Sequence, residues 1–373
     1  MPQTTYRLEP VPMRTYRVIQ WFTGQIACEQ VRLMARNPRF EIVGAVCHHA
    51  DKHGCDLGEL AGIGPLGVRA TANPGEALAL DADIVLYNPI DHEIDPIEAI
   101  LRSGKNVISI MGPWDISAKA HYRRLDEAAR AAGVTFHGAG NMPGMLNDVV
   151  PAMLSGWTAD VQHVWTRERS YHGTYRSADV LARILGYGKP LSEHGPQSAA
   201  GAALIDSYVG SFDQAHRSMA FALGVLVEGA RWESRLTGYE VAPAPETFTI
   251  DTCGLRIEAG TVAGFRYEIT SFLDGAPWAV IEVEHVARLA LGPQWRGTLE
   301  EPEFAVRIRG RPVLEMTFGT VTRDSDPQAT MGLVELNAAR MVNLIPAVVE
   351  AIPGAKSFID LPIVTALAGN RPG

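Results

Sequence analysis

The run Phe22-Thr23-Gly24-Gln25-Ile26-Ala27 follows a short apolar stretch, Tyr16 to Trp21, and leads into helix-like sequence. Set against the spacing G-x-G-x-x-G, it puts Phe22, Gly24 and Ala27 at the three glycine positions, so the middle glycine alone is kept. A glycine there lets backbone approach a pyrophosphate closely, and the helix start beyond it offers unpaired N–H groups and positive partial charge. Ala27 still permits close helix–strand packing, whereas Phe22 stands where glycine ordinarily makes the tight turn. A second group, His48, His49 and Lys52, ends the next apolar run, Phe40 to Cys47. Sites that hold a ribose 2′-hydroxyl place an acid near this point. Basic side chains suit a 2′-phosphate instead, so NADP is the expected cofactor, with NAD possible; solvated loop histidines are the plainer alternative.

Asn88-Pro89 closes another apolar run, where an amide can hydrogen-bond a ribose or carboxamide; a plain Asn-Pro turn is locally sufficient too. Gly138-Ala139-Gly140-Asn141-Met142-Pro143-Gly144 is the second dense glycine cluster. Backbone of that composition approaches a ligand closely and holds a fixed shape. Hydride transfer between a nicotinamide and a carbonyl or iminium carbon needs a proton donor or charge stabiliser beside it. Asp115, Asp148, Arg167, Glu168, Tyr171, His172 and Tyr175 are the candidates, each with a structural reading beside the catalytic one. Arg167 and Glu168 point to opposite faces of a strand, so they cannot both line one wall. His163 and His216 read as packing residues. No nucleophile elbow, phosphate-cradling loop of the G-x-x-x-x-G-K-[ST] kind or H-E-x-x-H pattern is present.

The elements that must position these groups alternate in the first third. Strands are expected at Tyr16–Trp21, Phe40–Cys47, Ala82–Tyr87, Asn106–Ile110 and Val134–His137, and helices at Ile26–Asn37, Asp95–Ser103 and Ser117–Ala132. Near-continuous apolar strands in a β-α-β rhythm imply a parallel sheet covered on both faces. After a helix at Leu146–Leu154 the texture changes. Val161–Arg169 reads as a strand, Ala178–Leu185 and Ser198–Glu233 as helices, and Tyr239–Gly319 as antiparallel strands with turns at Asp274-Gly275, Gly292-Pro293 and Arg309–Pro312. Leu333–Ala351 is an apolar helix. The fold class expected is α/β: a Rossmann-type domain over 14–150, completed by 330–373, and an α+β domain with an open mixed or antiparallel sheet over 151–329.

At 373 residues two domains are natural. A net charge of −9 argues against nucleic acid as a partner. The four cysteines show no zinc-ligand spacing and read as free thiols of a cytoplasmic protein. Residues 1–13 lack the apolar core of a signal peptide and read as a surface extension. No run is apolar and long enough to suggest a membrane span.

Together these residues resemble one family, the proteins with a dihydrodipicolinate reductase-like N-terminal domain, which includes 2,4-diaminopentanoate dehydrogenase and the native amine dehydrogenases. The resemblance rests on YRVIQWFTGQIA (16–27), HHADKHGCDLGELAGIGPLGV (48–68), SGKNVIS (103–109), HGAGNMPGMLNDVVP (137–151), VAGFRYEI (262–269) and IPAVVEAIPGAKSFIDLP (345–362). It implies a Rossmann domain paired with an open-sheet domain, a homodimer, and NAD(P)H-dependent chemistry on a small, fairly apolar carbonyl, imine or amine. The substrate is expected between Gly112, Asn141-Met142-Pro143 and the 167–175 segment. The catalytic set expected is Asp115, Asn141, Arg167 and Tyr171. The cofactor set is the 22–27 run (Phe22, Thr23, Gly24, Gln25, Ile26, Ala27), His48, His49, Lys52, Asn88, Pro89, Gly112, Asn141, Met142 and Pro143; no metal site is expected. Amine dehydrogenases carry a glutamate just after the Asn-Val-Ile-Ser strand, and this chain has Gly112-Pro113. Ketone or imine reduction without ammonia, or a non-catalytic ligand-binding role, are the alternatives.

Overall fold

Strands that are apolar on both sides must be covered on both sides, and pairing them in parallel with helical crossovers achieves this. In the computed structural model, which describes residues 14–288, 290–292, 295, 303–319 and 332–367, seven such strands form one sheet. They are β1 (Tyr16–Trp21), β2 (Phe40–Val46), β3 (Ala70–Thr71), β4 (Ile84–Tyr87), β5 (Asn106–Ser109), β6 (Thr135–Gly138) and, from the far end of the chain, β15 (Gly354–Lys356). Their order is β15-β6-β5-β4-β1-β2-β3, all pairs parallel. The order reverses at the β1–β4 pair, and ligands of open α/β sheets bind outside the carboxyl ends of the strands at such a point.

The intervening helices are α1 (Gln25–Ala35), α2 (Leu57–Leu60), α3 (Pro74–Leu78), α4 (Ile94–Arg102) and α5 (Arg123–Ala132). One sheet face, with Ile19, Val85, Val107 and Phe136, is covered by α4 and α5 through Ile97, Ile100, Leu101 and Leu125. The other, with Val18, Ile84, Leu86 and Ile108, lies under Met34 of α1 and under Met341, Leu344 and Ile345 of a closing helix. That helix is α8 (Gly332–Val349).

Between β6 and α8 the chain builds α6 (Val149–Ser155), β7 (Ala159–Tyr171), α7 (Ala199–Ala222), β8 (Trp232–Pro243), the hairpin β9 (Phe248–Ile250) and β10 (Leu255–Ile257), then β11 (Val262–Leu273), β12 (Ala276–Val286), β13 (Glu303–Arg311) and β14 (Leu314–Phe318). A six-stranded sheet runs β14-β13-β7-β12-β11-β8. It is mixed, because β7 and β12 pair in parallel while the other pairs are antiparallel.

Three local expectations are corrected. The helix read over 198–233 ends at Ala222: Gly224 takes φ +68°, and the chain turns so that Val225 and Leu226 pack with Trp232, Trp278 and Ala279. Strand β8 then starts at Trp232, where Asp213 of α7 accepts hydrogen bonds from Trp232 Nε1 (2.8 Å) and Ser234 Oγ (2.7 Å). The helix read from Ser117 begins only at Arg123, after a turn in which Asp115 Oδ1 accepts from Ser117 N (2.8 Å) and Oγ (2.6 Å). The helix read from Leu146 begins at Val149, capped by Asp148. The 1–13 extension, Pro293 of the Gly292-Pro293 turn, and 320–331 and 368–373 at the second-domain and C-terminal boundaries lie outside the described residues.

Candidate active site

The loop after β1 makes its tight turn without the first glycine. Phe22 takes φ +70°, its N–H donates to Val46 O at 2.8 Å, and its ring packs at 5.8 Å from Tyr87 and 6.0 Å from His48. A left-handed backbone costs a residue with a Cβ about 1–2 kcal/mol, and the ring contacts offset it here. Phe22→Ala keeps the strain and loses the contacts, so in chemical denaturation it should be less stable than Phe22→Gly by about 1 kcal/mol. Equal stability of the two variants would show that the turn is unstrained.

Gly24 is different. It is the N-cap of α1 with φ −76° and ψ −175°, conformations open to any residue, and it has no side-chain cap. A Cβ built there meets no atom within 4 Å. Neither backbone nor packing therefore calls for glycine; what glycine leaves is an open approach to the first N–H groups of α1, which fits a dinucleotide pyrophosphate. Ala27 is buried against the sheet, while Gln25 and Ile26 are half-buried. Lys52 folds back over the same loop, its Nζ donating to Thr23 O (3.2 Å) and Thr23 Oγ1 (3.3 Å). His48 and His49 are exposed at the tip of β2, with their rings 5.2 Å apart.

The asparagines are committed elsewhere. Asn88 Nδ2 donates to Gln30 Oε1 (2.9 Å) and Gln30 Nε2 donates back to Asn88 Oδ1 (3.1 Å), tying α1 to the end of β4 beside buried Pro89. Asn141 Nδ2 donates to Leu333 O (3.1 Å), and its backbone N–H donates to Asn337 Oδ1 (2.9 Å), which fixes the loop after β6 to α8. In that loop Asp148 accepts from Gly144 N (3.0 Å) and Val149 N (2.7 Å), and burial pushes its carboxyl up to about 6. In this structure the Asn141 and Asn88 side chains, expected at substrate and ribose, are each hydrogen-bonded within the protein.

Gly112 and Pro113 lie against Gly138, where a Cβ would come within 2.2 Å of Pro113 O. Trp114 follows, its N–H donating to Gln214 Oε1 of α7 (3.0 Å) and its Nε1 to Ala139 O (3.0 Å). Asp115 spends one oxygen on Ser117 and the other on Arg217 Nε (3.2 Å). It lines a cavity of about 270 Å³ with Arg217, Ser357 and Asp360, next to edge strand β15 and away from the β1–β4 crevice. Asp115, expected as a proton donor, is here bonded within its turn and paired with Arg217.

The second sheet decides between Arg167 and Glu168. Glu168 stands in register with Phe304 of β13 and Val283 of β12. Phe304 packs with Leu146, Val150, Leu333 and Leu336, so this face is turned toward the dinucleotide domain. Arg167 is on the other face, where Glu284 holds it at 2.9 Å and Arg169 at 2.6 Å. Arg167 NH2 also donates to Trp295 O, and Arg169 to Leu291 O at 3.1 Å. Strand parity puts Arg167, expected at the substrate, on the face away from the dinucleotide domain.

What lines the inward face is an aromatic cluster that sequence reading did not assemble. Tyr267 stacks on Tyr208 of α7 at 4.8 Å, and His285 stacks on Phe265 at 4.9 Å. His172 lies 5.0 Å from His285, 6.0 Å from Tyr175 and 2.9 Å, through Nδ1, from the Tyr187 hydroxyl. Burial pushes His172 down to about 4 and His285 well below the imidazole range, so both are neutral near pH 7. Burial raises the Glu168 carboxyl to about 7, opposed by the hydrogen bond from Ser170 Oγ. Tyr171 and Tyr175 join the edge of the cluster, and so does Met142 from the loop after β6. The inward positions of VAGFRYEI and VIEVEHV carried this signal: Phe265, Tyr267 and His285 read alternately as strand faces do. His216, read as a packing residue, is buried with its Nδ1 2.7 Å from Ser271 Oγ.

Residues 209–372 match the family model of the 2,4-diaminopentanoate dehydrogenase C-terminal domain. An amine dehydrogenase of Streptomyces virginiae is 28% identical over 364 residues, covering 94% of this chain and 97% of that protein. The 2,4-diaminopentanoate dehydrogenase of Acetoanaerobium sticklandii is 22% identical over 257 residues, 66% of this chain and 63% of that protein. In fold the chain is similar to the solved amine dehydrogenase of Mycobacterium smegmatis, with a TM-score of 0.68 at 21% identity, covering 94% of this chain and 97% of that one.

Proposed function

We propose that the chain is a member of the dihydrodipicolinate reductase-like family that includes 2,4-diaminopentanoate dehydrogenase and the amine dehydrogenases, and that it is an NAD(P)-dependent oxidoreductase interconverting a small, largely apolar ketone and the corresponding primary amine; the family-model match over residues 209–372 and the similarity to the two curated dehydrogenases support this reading. In the amine-forming direction the ketone condenses with ammonia, water leaves, and the protonated imine carbon takes a hydride. The bound reduced nicotinamide supplies that hydride. The observation that carries the reading is the pairing of an open, uncapped helix start at Gly24 with an inward cluster of Phe265, Tyr267, Tyr208 and neutral His285. Met142 belongs to the loop after β6 and packs on that cluster, which brings the two halves of the site together. Aromatic walls with few polar groups suit a short apolar substrate held by one polar end.

NADP is the proposed cofactor, since Lys52 and His48 supply positive or hydrogen-bonding groups at the tip of β2. Lys52→Ala and His48→Ala should each weaken NADPH binding by about tenfold and NADH binding much less, read by calorimetry. Equal weakening of the two would remove the 2′-phosphate assignment. Cytoplasmic residence and assembly as a homodimer belong to the same proposal.

The test is NADPH oxidation with a panel of short ketones, with and without ammonium. Ketone-dependent oxidation that requires ammonium supports the reading. Oxidation of equal rate without ammonium favours simple ketone reduction, the reading that Gly112-Pro113 in place of a glutamate would support. No oxidation under either condition contradicts both.

A further inference from the structure

A carboxylate buried without a cation is costly, and a buried group of shifted ionisation is a candidate for a functional site. Glu168 is one. It is 6% exposed near the C-terminal end of β7, and its neighbours Arg167 and Arg169 are both drawn to Glu284 on the opposite face. Among the described residues the donor to its carboxylate is Ser170 Oγ. Tyr267, stacked on Tyr208 and 6.0 Å from His285, is close enough to feel its charge. Around this carboxyl the described side chains are aromatic or neutral, and among the described residues no lysine or arginine pairs with it. A buried hydrophobic or amide side chain would fill the place at lower cost in folding. The loop after β5, meanwhile, offers Gly112-Pro113 and no carboxylate, and Asp115 beyond it is engaged with Ser117 and Arg217.

We propose that the Glu168 carboxyl is the acid–base group that meets the substrate nitrogen, supplied from β7 of the second sheet instead of from the loop after β5. The assignment rests on the reductive-amination reading above and gives it a proton carrier. Ionised, Glu168 takes a proton from ammonium, and the ammonia so formed bonds through nitrogen to the carbonyl carbon. Protonated, Glu168 returns that proton to the hydroxyl of the resulting carbinolamine, whose C–O bond breaks with loss of water. The protonated imine left behind pairs with the carboxylate and is reduced by hydride, its C=N bond becoming the C–N bond of the amine. A carboxyl whose ionisation lies near neutrality serves both directions of this exchange. Ser170 is then a positioning residue, holding one carboxylate oxygen so that the other is presented to the nitrogen.

The experiment compares the wild-type full chain with Glu168→Gln, Glu168→Asp and Ser170→Ala. Two readouts are taken: calorimetric binding of n-pentylamine to NADP-saturated protein, and kcat/KM for ammonium with a ketone from the panel. Glutamine matches the shape of the protonated acid, and NADPH binding serves as the check that each variant is folded. The expected result is loss of at least about 100-fold in kcat/KM for ammonium in Glu168→Gln. Amine binding should weaken at least about tenfold in the same variant. Glu168→Asp should restore part of both, and Ser170→Ala should move the limb of the pH profile near neutrality. If Glu168→Gln keeps both within about threefold of wild type, the assignment is overturned and the reductive-amination reading stands. If no ketone turns over but wild type binds n-pentylamine and Glu168→Gln does not, the assignment stands and that reading fails. A wild type that neither binds the amine nor turns over overturns both.

Discussion

Gly24→Asp should make the protein more stable and unable to hold its cofactor. The N-cap of α1 has extended backbone and no side-chain cap, the geometry in which aspartate accepts a bond from the first free N–H groups. Capping in place of glycine should stabilise the fold by a few tenths of a kcal/mol, and the new charge at the positive end of the helix by about 0.3–1 kcal/mol more. Nothing within 4 Å of the new Cβ opposes it. A dinucleotide pyrophosphate approaching those same N–H groups would meet a carboxylate already bonded to them, carrying charge of its own sign. Affinity for NADPH should fall by at least about 100-fold, near 2.7 kcal/mol. Gly24→Ser separates the causes, since serine caps without charge and should cost less. Opposite signs for stability and binding would be hard to reconcile with a merely structural turn. A variant that binds NADPH as wild type does would place the pyrophosphate elsewhere.

The second large effect lies on the outward face of the second sheet. Glu284 is 1% exposed and holds Arg169 at 2.6 Å and Arg167 at 2.9 Å, whose side chains are 3% and 11% exposed. Burial pushes the Glu284 carboxyl up, against two guanidiniums that pull it down. Removing it by Glu284→Ala takes the shared carboxylate from two guanidiniums that are largely shielded from water and that also donate to the carbonyl oxygens of Trp295 and Leu291. Losing one partner of a buried ion pair typically costs about 3–5 kcal/mol. Glu284→Gln keeps the acceptor oxygen and should cost less. Urea denaturation reads the difference, and a loss below about 1 kcal/mol for Glu284→Ala would mean that the arginines find water or new partners.

The parallel sheet, its order of strands and helices and the change to antiparallel strands followed from apolar runs and turn residues, because these are local signals; the parallel pairing of β7 with β12, which makes the second sheet mixed, joins distant segments and left no such signal. The overrun of α7 has a local cause as well. Small residues continue at helical spacing to Gly229, and only the pull of Trp278 and Ala279 on Val225 and Leu226 shows why the chain turns away. The hydrogen-bond partners of the asparagines were not legible locally: Gln30 stands 58 residues from Asn88, and Asn337 stands 196 from Asn141. Strand parity separated Arg167 from Glu168, but parity alone does not say which face meets the other domain. Phe304 in register with Glu168, packed on Leu146 of the loop before α6, supplies that answer. Phe22 looked like damage to a fingerprint, yet its φ of +70° keeps the turn that glycine would make.

The most direct measurement follows two isotopes into the product. A ketone from the panel is incubated with deuterated NADPH, labelled at the transferred position, and with ¹⁵N-ammonium, and the product is analysed by mass spectrometry. An amine carrying deuterium on carbon and ¹⁵N on nitrogen is the predicted result. An alcohol carrying deuterium alone would contradict the use of ammonia, and a product carrying neither label would contradict hydride transfer by this chain.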